Sequence, residues 1–254
     1  SAESLSAPSF VNALVYGSGN IRISWDNTVP GASRYTIQRK TDDGSFSTLM
    51  TLPSDVSVWN DTGIANGHTY TYRIFATGTI STGDPVESNP VEYLYPSALT
   101  PKGISASEIE ISWTYPASNN IPESNYQTVI ERRIDGTSTW QTIATVPGSA
   151  STWVDGNLSE ATRYYYRIRT LTATSAIYLY YPNNTSGQPA STFLKAPMNI
   201  SAKIISPSAV ELSWKDASSK ETAYLVERRK GYGIFVSLKT LSKDAEVFVD
   251  NTAI

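Results

Sequence analysis

The sequence contains no cysteine and only one histidine, His68. Zinc fingers, iron–sulfur centres and thiol enzymes need cysteine or several histidines, so these classes are excluded. A Ser-His-Asp hydrolase would have to be built on His68, which stands at a turn position and is better explained as a structural residue. We therefore expect no catalytic residue, no metal site and no cofactor in this chain.

An excess of either charge is also lacking. The 254 residues carry 20 Lys and Arg against 23 Asp and Glu, a formal net charge of −3. Nucleic-acid binding normally requires a strong basic excess, so we expect no nucleic-acid partner. No apolar run approaches the ~18–20 residues that span a bilayer, so no membrane insertion is expected. The 16 tyrosines and 40% hydrophobic residues instead favour strands around a buried core.

Three segments repeat one pattern along the chain. Each alternates apolar and polar residues and ends on tryptophan: Ile21–Trp25, Ile109–Trp113 and Val210–Trp214. This period of two is typical of a half-buried strand. A proline stands 17 residues before each tryptophan, at Pro8, Pro96 and Pro197. Three further aromatics each precede an aspartate by 15 residues, in the pairs Phe46/Asp61, Trp140/Asp155 and Phe235/Asp250. Spacings kept three times indicate three copies of one unit.

Within each copy, runs rich in Val, Ile, Thr and Tyr alternate with turn residues, as in a β-sandwich. Tyr70 and Tyr164 lie nine residues after their aspartates, in the position of the tyrosine corner of immunoglobulin-like sandwiches. With the leading proline and the second-strand tryptophan, these motifs resemble fibronectin type III modules. The resemblance implies an all-β fold of tandem immunoglobulin-like β-sandwiches. The second copy departs from it with Thr128, where the others have Tyr35 and Tyr224.

The prolines predict three modules: repeat 1 (1–95), repeat 2 (96–196) and repeat 3 (197–254). In repeat 3 the corner tyrosine would fall nine residues after Asp250, beyond the last residue, Ile254. We therefore expect repeat 3 to be incomplete, ending before strands F and G. Either the chain belongs to a longer protein, or a partner donates a strand to the open sheet.

The resemblance implies a non-catalytic, extracellular or cell-surface module array. Its role would be that of a spacer or adhesion stalk in a larger secreted or surface protein, with a protein or carbohydrate partner. The alternative is a carbohydrate-binding or substrate-positioning accessory segment of a secreted hydrolase. Fold alone does not decide between them, because sandwiches serve many functions.

Counted from each leading proline to the next, repeat 1 spans 88 residues and repeat 2 spans 101. Most of the 13 extra residues fall in the predicted B–C and F–G loops. Both loops lie at the same end of this fold and carry four tyrosines: Tyr115, Tyr178, Tyr180 and Tyr181. Exposed tyrosines offer sugars or proteins a flat, amphipathic surface. The same side chains could instead pack the joint with repeat 1, an interpretation that we favour because contiguous exposed aromatics are rare unless used.

Overall fold

A computed structural model of the chain describes residues 5–174 and 179–253. Strands dominate these ranges, and the one helix within them is a single 3-10 turn at Glu123–Asn125. No helix in the described part of the chain is long and apolar enough to cross a membrane. The prediction of an all-β fold is confirmed.

Repeat 1 contains two sheets that face each other across a common core. Its strands are β1 (Val11–Gly17), β2 (Asn20–Trp25), β3 (Arg34–Thr41), β4 (Ser47–Pro53), β5 (Val58–Asp61), β6 (His68–Thr77), β7 (Val86–Glu87) and β8 (Val91–Tyr93). One sheet has the order β1-β2-β5, and the other has the order β4-β3-β6-β7, with β8 also paired to β6. These orders correspond to the A-B-E and C′-C-F-G sheets of an immunoglobulin-like sandwich.

The alternating pattern of β2 explains how this core forms. Ile21, Ile23 and Trp25 point to one face and are at most 2% exposed, whereas the intervening residues face outward. Tyr35 of β3 packs against Trp25, with 6.2 Å between the ring centroids. These side chains are part of a larger buried core whose burial stabilises repeat 1.

Repeat 2 repeats the arrangement with longer loops. Its strands are β9 (Ala98–Gly103), β10 (Ile109–Thr114), β11 (Tyr126–Ile134), β12 (Gln141–Pro147), β13 (Thr152–Asp155), β14 (Arg163–Thr172), β15 (Tyr180–Tyr181) and β16 (Gln188–Ser191). The sheet orders are β13-β10-β9 and β12-β11-β14-β15, and β16 also pairs with β14. Trp113 is buried as predicted, with an exposed fraction of 3%.

Repeat 3 has a three-stranded sheet and a two-stranded sheet. Its strands are β17 (Met198–Ser206), β18 (Ala209–Lys215), β19 (Ala223–Arg228), β20 (Val236–Ser242) and β21 (Val247–Asp250). The first sheet has the order β17-β18-β21, and among the described strands β19 pairs with β20 alone. Strands that would correspond to F and G are absent from residues 197–253, so Trp214 is only partly buried. A donated strand at β19 stays a prediction.

The tyrosine corners are confirmed in repeats 1 and 2. The Tyr70 hydroxyl accepts a hydrogen bond from the Ala65 amide at 2.7 Å, and the Tyr164 hydroxyl accepts one from the Ser159 amide at 3.0 Å. Each bond reaches five residues upstream, which fixes the turn that precedes the strand.

Close contacts group the chain into two compact units. The first comprises 1–101, 111–153 and 165–189, and the second comprises 102–110, 154–164 and 190–254. This grouping does not follow the predicted module boundaries, which stay a prediction.

Candidate functional site

The described tyrosines of the predicted loop cluster, Tyr115, Tyr180 and Tyr181, have different neighbours. Tyr115 follows β10 and turns toward the interior of repeat 2: its hydroxyl lies 2.9 Å from Thr128 Oγ1 and accepts a hydrogen bond from Thr170 Oγ1 at 3.1 Å. Its ring meets the ring of Tyr126 edge-on, with 4.9 Å between the centroids. Burial raises the pKa of the Tyr115 hydroxyl. Tyr115 is therefore anchored as a packing residue.

Tyr180 and Tyr181 are neighbours in β15 and so face opposite sides of the sheet. Tyr180 pairs with Arg169 and Tyr181 with Ile168. Both Tyr180 and Tyr181 line a cleft together with Tyr95 and the Gly17–Ser18 turn of repeat 1. Tyr178 lies outside the described residues. Tyr115 does not line this cleft, so the three described tyrosines do not form one continuous aromatic surface.

On the outer side of the sheet, Tyr180 joins a set of residues that the sequence reasoning did not assemble. We call this set the arginine–aromatic face: Arg133, Trp140, Tyr165, Arg167 and Tyr180. The Arg167 guanidinium lies over the rings of Tyr180 and Trp140, 3.8 and 4.4 Å from their centroids. Arg133 lies over Tyr165 at 4.0 Å and over Trp140 at 5.4 Å. Arginines and rings therefore alternate across the face.

Hydrogen bonds at the guanidinium edges hold this face in place. Arg167 donates to Glu131 Oε2 through Nε at 2.7 Å and through Nη2 at 2.6 Å. Arg133 donates to the carbonyl oxygens of Thr137 and Ser186, at 3.1 and 2.9 Å. Because their planes stack on rings while their edges are bonded, both arginines are pre-organised. Burial, reinforced by the Glu131 charge, raises the pKa of the Tyr180 hydroxyl.

The outward alternation of β14 could have indicated the face from sequence. Tyr165 and Arg167 occupy alternate positions whose side chains are partly exposed, while Tyr166 and Ile168 between them are buried. The sequence does not show which residues of β11 and β12 lie beside Tyr165 and Arg167. That depends on strand register, which the sequence pattern did not define.

His68 lies in a polar cluster at the joint between repeats 1 and 2. Its Nδ1 is 2.7 Å from Asp42 Oδ2, and Asn120 Nδ2 donates to the same oxygen at 3.0 Å. The Asp42 carboxylate also accepts the Thr69 amide at 2.9 Å. These bonds outweigh the effect of burial and hold the pKa of Asp42 below its usual range. His68 is thus tied into a contact between repeats.

The repeated aspartates also have structural partners. Asp61 is 2% exposed and accepts hydrogen bonds from Arg39, Tyr72 and the Gly63 amide, at 2.8, 2.9 and 2.9 Å. Asp250 accepts hydrogen bonds from Arg228 at 2.6 Å and from the Thr252 amide at 2.9 Å. The bond to the amide two residues on is an Asx turn, and the arginine pairing comes in addition.

Comparisons with known proteins were made by sequence and by structure. No protein-family model matches the chain. Contactin-1 of Gallus gallus is 24% identical over 227 residues, and contactin-2 of Rattus norvegicus is 28% identical over 230 residues. These alignments cover 79% and 78% of this chain but only 21% of each relative. The chain therefore spans about a fifth of the length of these curated relatives.

Solved structures of fibronectin type III segments were also found. The FN1–FN3 domains of chicken CNTN1 align with 99% of this chain and 90% of that one, at 16% identity and a TM-score of 0.34. A two-domain segment of chicken tenascin aligns with 69% of this chain and 97% of that one, at 17% identity and a TM-score of 0.40. The repeat motifs, the A-B-E and C′-C-F-G sheet orders of repeats 1 and 2 and the tyrosine corners show immunoglobulin-like β-sandwiches that resemble fibronectin type III modules.

Proposed function

We propose that the chain is part of a non-catalytic, extracellular or cell-surface module array that acts as a spacer or adhesion stalk in a larger secreted or surface protein. The observation that carries this proposal is the joint between repeats 1 and 2. The Asn120 amide donates to the Gly67 carbonyl oxygen at 2.8 Å, and its side chain donates to Asp42. A spacer needs such directional contacts, because a free linker would not hold neighbouring modules at a set distance.

Gly67 explains why the two backbones can come so close. It has a φ of +91°, and a Cβ there would lie 2.8 Å from Asn119 Cα. Any larger residue would both strain the turn and push the Asn119–Asn120 segment away. The joint is therefore built on a position that only glycine fills without cost.

The ionisable groups weighed as catalytic candidates support a non-catalytic role. His68 is bonded to Asp42 and Asn120, and Asp61 is enclosed by Arg39 and Tyr72. The bonded partners of His68 are a carboxylate and an amide, not a nucleophile that it could activate. Asp61 is 2% exposed, so its carboxylate does not reach a substrate proton as a general acid or base must. Similarity to the contactins, although distant, points in the same direction.

For the partner, the arginine–aromatic face favours a protein over a carbohydrate. Sugars bind aromatic platforms by stacking on an open ring face. Here Arg133 and Arg167 already lie over the rings of Trp140, Tyr165 and Tyr180. Partly exposed arginines and aromatics are the residue types enriched at protein interfaces. The carbohydrate-binding accessory role remains the second candidate, carried by the Tyr181 cleft.

The spacer role is tested by Gly67→Ala, with Gly136→Ala as a matched control. Gly136 also has a positive φ, +79°, but nothing lies within 4 Å of its added Cβ. Both variants place alanine at a positive φ, but only Gly67→Ala also pushes against the Asn119–Asn120 segment. Only Gly67→Ala should therefore broaden the distribution of end-to-end distances in small-angle scattering or fluorescence energy transfer. An equal effect of the two variants, or none, would contradict the spacer proposal.

The partner class is tested by binding of the full chain to immobilised cell-surface proteins and to a glycan array. We expect Arg133→Ser with Trp140→Ser to abolish protein binding. Replacing Tyr178, Tyr180 and Tyr181 with Ser should leave glycan signals at background, as in the unmodified chain. Glycan binding that this triple change removes without altering flexibility would favour the accessory role instead.

A further inference from the structure

Repeat 3 contains a group of three acidic side chains that the sequence analysis did not recognise. Asp216 and Glu221 belong to the loop between β18 and β19, and Asp244 belongs to the turn between β20 and β21. One carboxylate oxygen of each lies within 4.8 Å of the others. The tertiary fold brings the three together, because the two loops lie at the same end of the sandwich.

Glu221 distinguishes this group from an ordinary acidic surface patch. It is 6% exposed, and neither of its buried carboxylate oxygens, Oε1 and Oε2, has a hydrogen-bond partner. The loops between the second and third strands of repeats 1 and 2 bury aliphatic residues, Val29 at 7% and Ile121 at 3%. The same loop of repeat 3 buries a carboxylate. An unpaired buried charge is costly, so this position calls for a neutralising group.

The carboxylate of Asp216 is held in a fixed orientation. Its Oδ1 accepts the Tyr224 hydroxyl at 2.5 Å and the Ser218 amide at 3.0 Å. Its own amide donates to Glu246 Oε1 at 2.9 Å, which adds a fourth negative group nearby.

The positive groups near the cluster do not pair with it directly. Lys243 acts on Asp216 only through its more distant charge. Among the described residues, no lysine or arginine forms a salt bridge with any of the three carboxylates. A single proton shared between Asp216 and Glu221 would still leave the charge of Asp244 uncompensated.

We propose that Asp216, Glu221 and Asp244 form a calcium-binding site. Calcium takes six to eight oxygen ligands at about 2.3–2.6 Å, so two oxygens bound to one ion can lie up to about 5 Å apart. The ligand oxygens of this cluster all lie within 4.8 Å of one another and so fit that span. Magnesium demands regular octahedral geometry at about 2.1 Å and usually takes only one or two carboxylates, so three carboxylates on two loops favour calcium. Exposed Asp244 gives the ion a way in from solvent, and water or backbone carbonyl oxygens complete its shell.

Bound calcium would connect the two loops across the open end of repeat 3. It would neutralise Glu221 and hold the turn after β20 against the loop that precedes β19. Repeat 3 buries little apolar surface in the described residues, so a bound ion would contribute substantially to its folding stability. This role does not depend on whether the array acts as a spacer or as an accessory segment.

The test is a calcium titration of the full chain after chelator treatment, followed by calorimetry and by thermal unfolding. We expect one ion per chain, a dissociation constant of about 0.1–1 mM, and a rise in the unfolding temperature of repeat 3 with calcium. Terbium provides a second probe, because Tyr224 contacts Asp216 and should sensitise terbium luminescence that calcium displaces.

Variants decide which residues hold the ion. Glu221→Gln and Asp244→Asn should each weaken binding at least tenfold, and Asp244 is exposed, so its replacement does not endanger folding. Asp55→Asn is the matched control: Asp55 follows Phe46 by nine residues, as Asp244 follows Phe235, but repeat 1 has no buried carboxylate beside it. It should leave binding unchanged.

Three results would overturn the proposal. The first is the absence of any calcium effect up to about 10 mM, which is well above the range of weak extracellular calcium sites. In that case neither the unfolding temperature nor the heat of binding in calorimetry would respond to calcium. The second is undiminished calcium binding by Glu221→Gln or Asp244→Asn. The third is an equal response to magnesium, which would refute the assignment of the ion.

Discussion

Replacing Asp61 with alanine should destabilise repeat 1 by about 3 kcal/mol, because it removes the acceptor at the centre of a buried polar group. Asp61 is 2% exposed and binds Arg39, Tyr72 and the Gly63 amide. Loss of one partner from a buried ion pair typically costs about 3–5 kcal/mol. We choose the lower end because the Arg39 side chain is 20% exposed and keeps a bond to the Gly63 carbonyl oxygen.

Hydrogen exchange measured by mass spectrometry is the appropriate assay, since a chain of several modules does not unfold in one transition. A loss of about 3 kcal/mol corresponds to roughly 150-fold faster exchange of the most protected amides in β3 and β6. Asp43→Asn, at an exposed position in the turn after β3, should change exchange by less than about twofold. Less than about fivefold acceleration in Asp61→Ala would refute the reasoning, because the buried group would then contribute almost nothing.

Three other changes should have measurable effects. The Glu160 carboxylate accepts the Ser219 and Lys195 amides, which lowers its pKa to about 2. Its contribution to stability should therefore be fully present above its ordinary pKa of 4.5 and lost as the pH falls toward 2. The difference in unfolding temperature between the unmodified chain and Glu160→Gln should narrow over that interval; a constant difference would contradict the assignment. Tyr70→Phe should cost repeat 1 about 1–2 kcal/mol in chemical denaturation, since it leaves the Ala65 amide without its acceptor. Residues 197–254 expressed alone should lack a cooperative thermal transition, and a sharp one would show that the two-stranded sheet suffices.

The repeats and their sandwich fold could be predicted from sequence because the signals are local. An apolar side chain at every second position must face the core if a strand forms, so Ile21, Ile23 and Trp25 were identifiable as buried without any knowledge of their neighbours. The tyrosine corner reaches only five residues upstream, and its spacing is likewise visible in the sequence.

The candidate sites depended on contacts between distant segments. The contact of Tyr180 with Arg167 and the cleft that Tyr180 and Tyr181 line with Tyr95 followed only from strand pairing and loop placement. Tyr115 looked like a loop residue and proved to be a packing residue, since Thr128 and Thr170 approach it from other strands.

The acidic group of repeat 3 also depends on contacts between distant segments. In sequence, Asp216, Glu221 and Asp244 are ordinary loop residues separated by up to 28 positions. The alternating strands and turn residues that the sequence determined place two loops at one end of the sandwich. Only the tertiary structure decides that Glu221 is covered there without a hydrogen-bond partner, because burial depends on which segments pack over a side chain and not on the residues beside it.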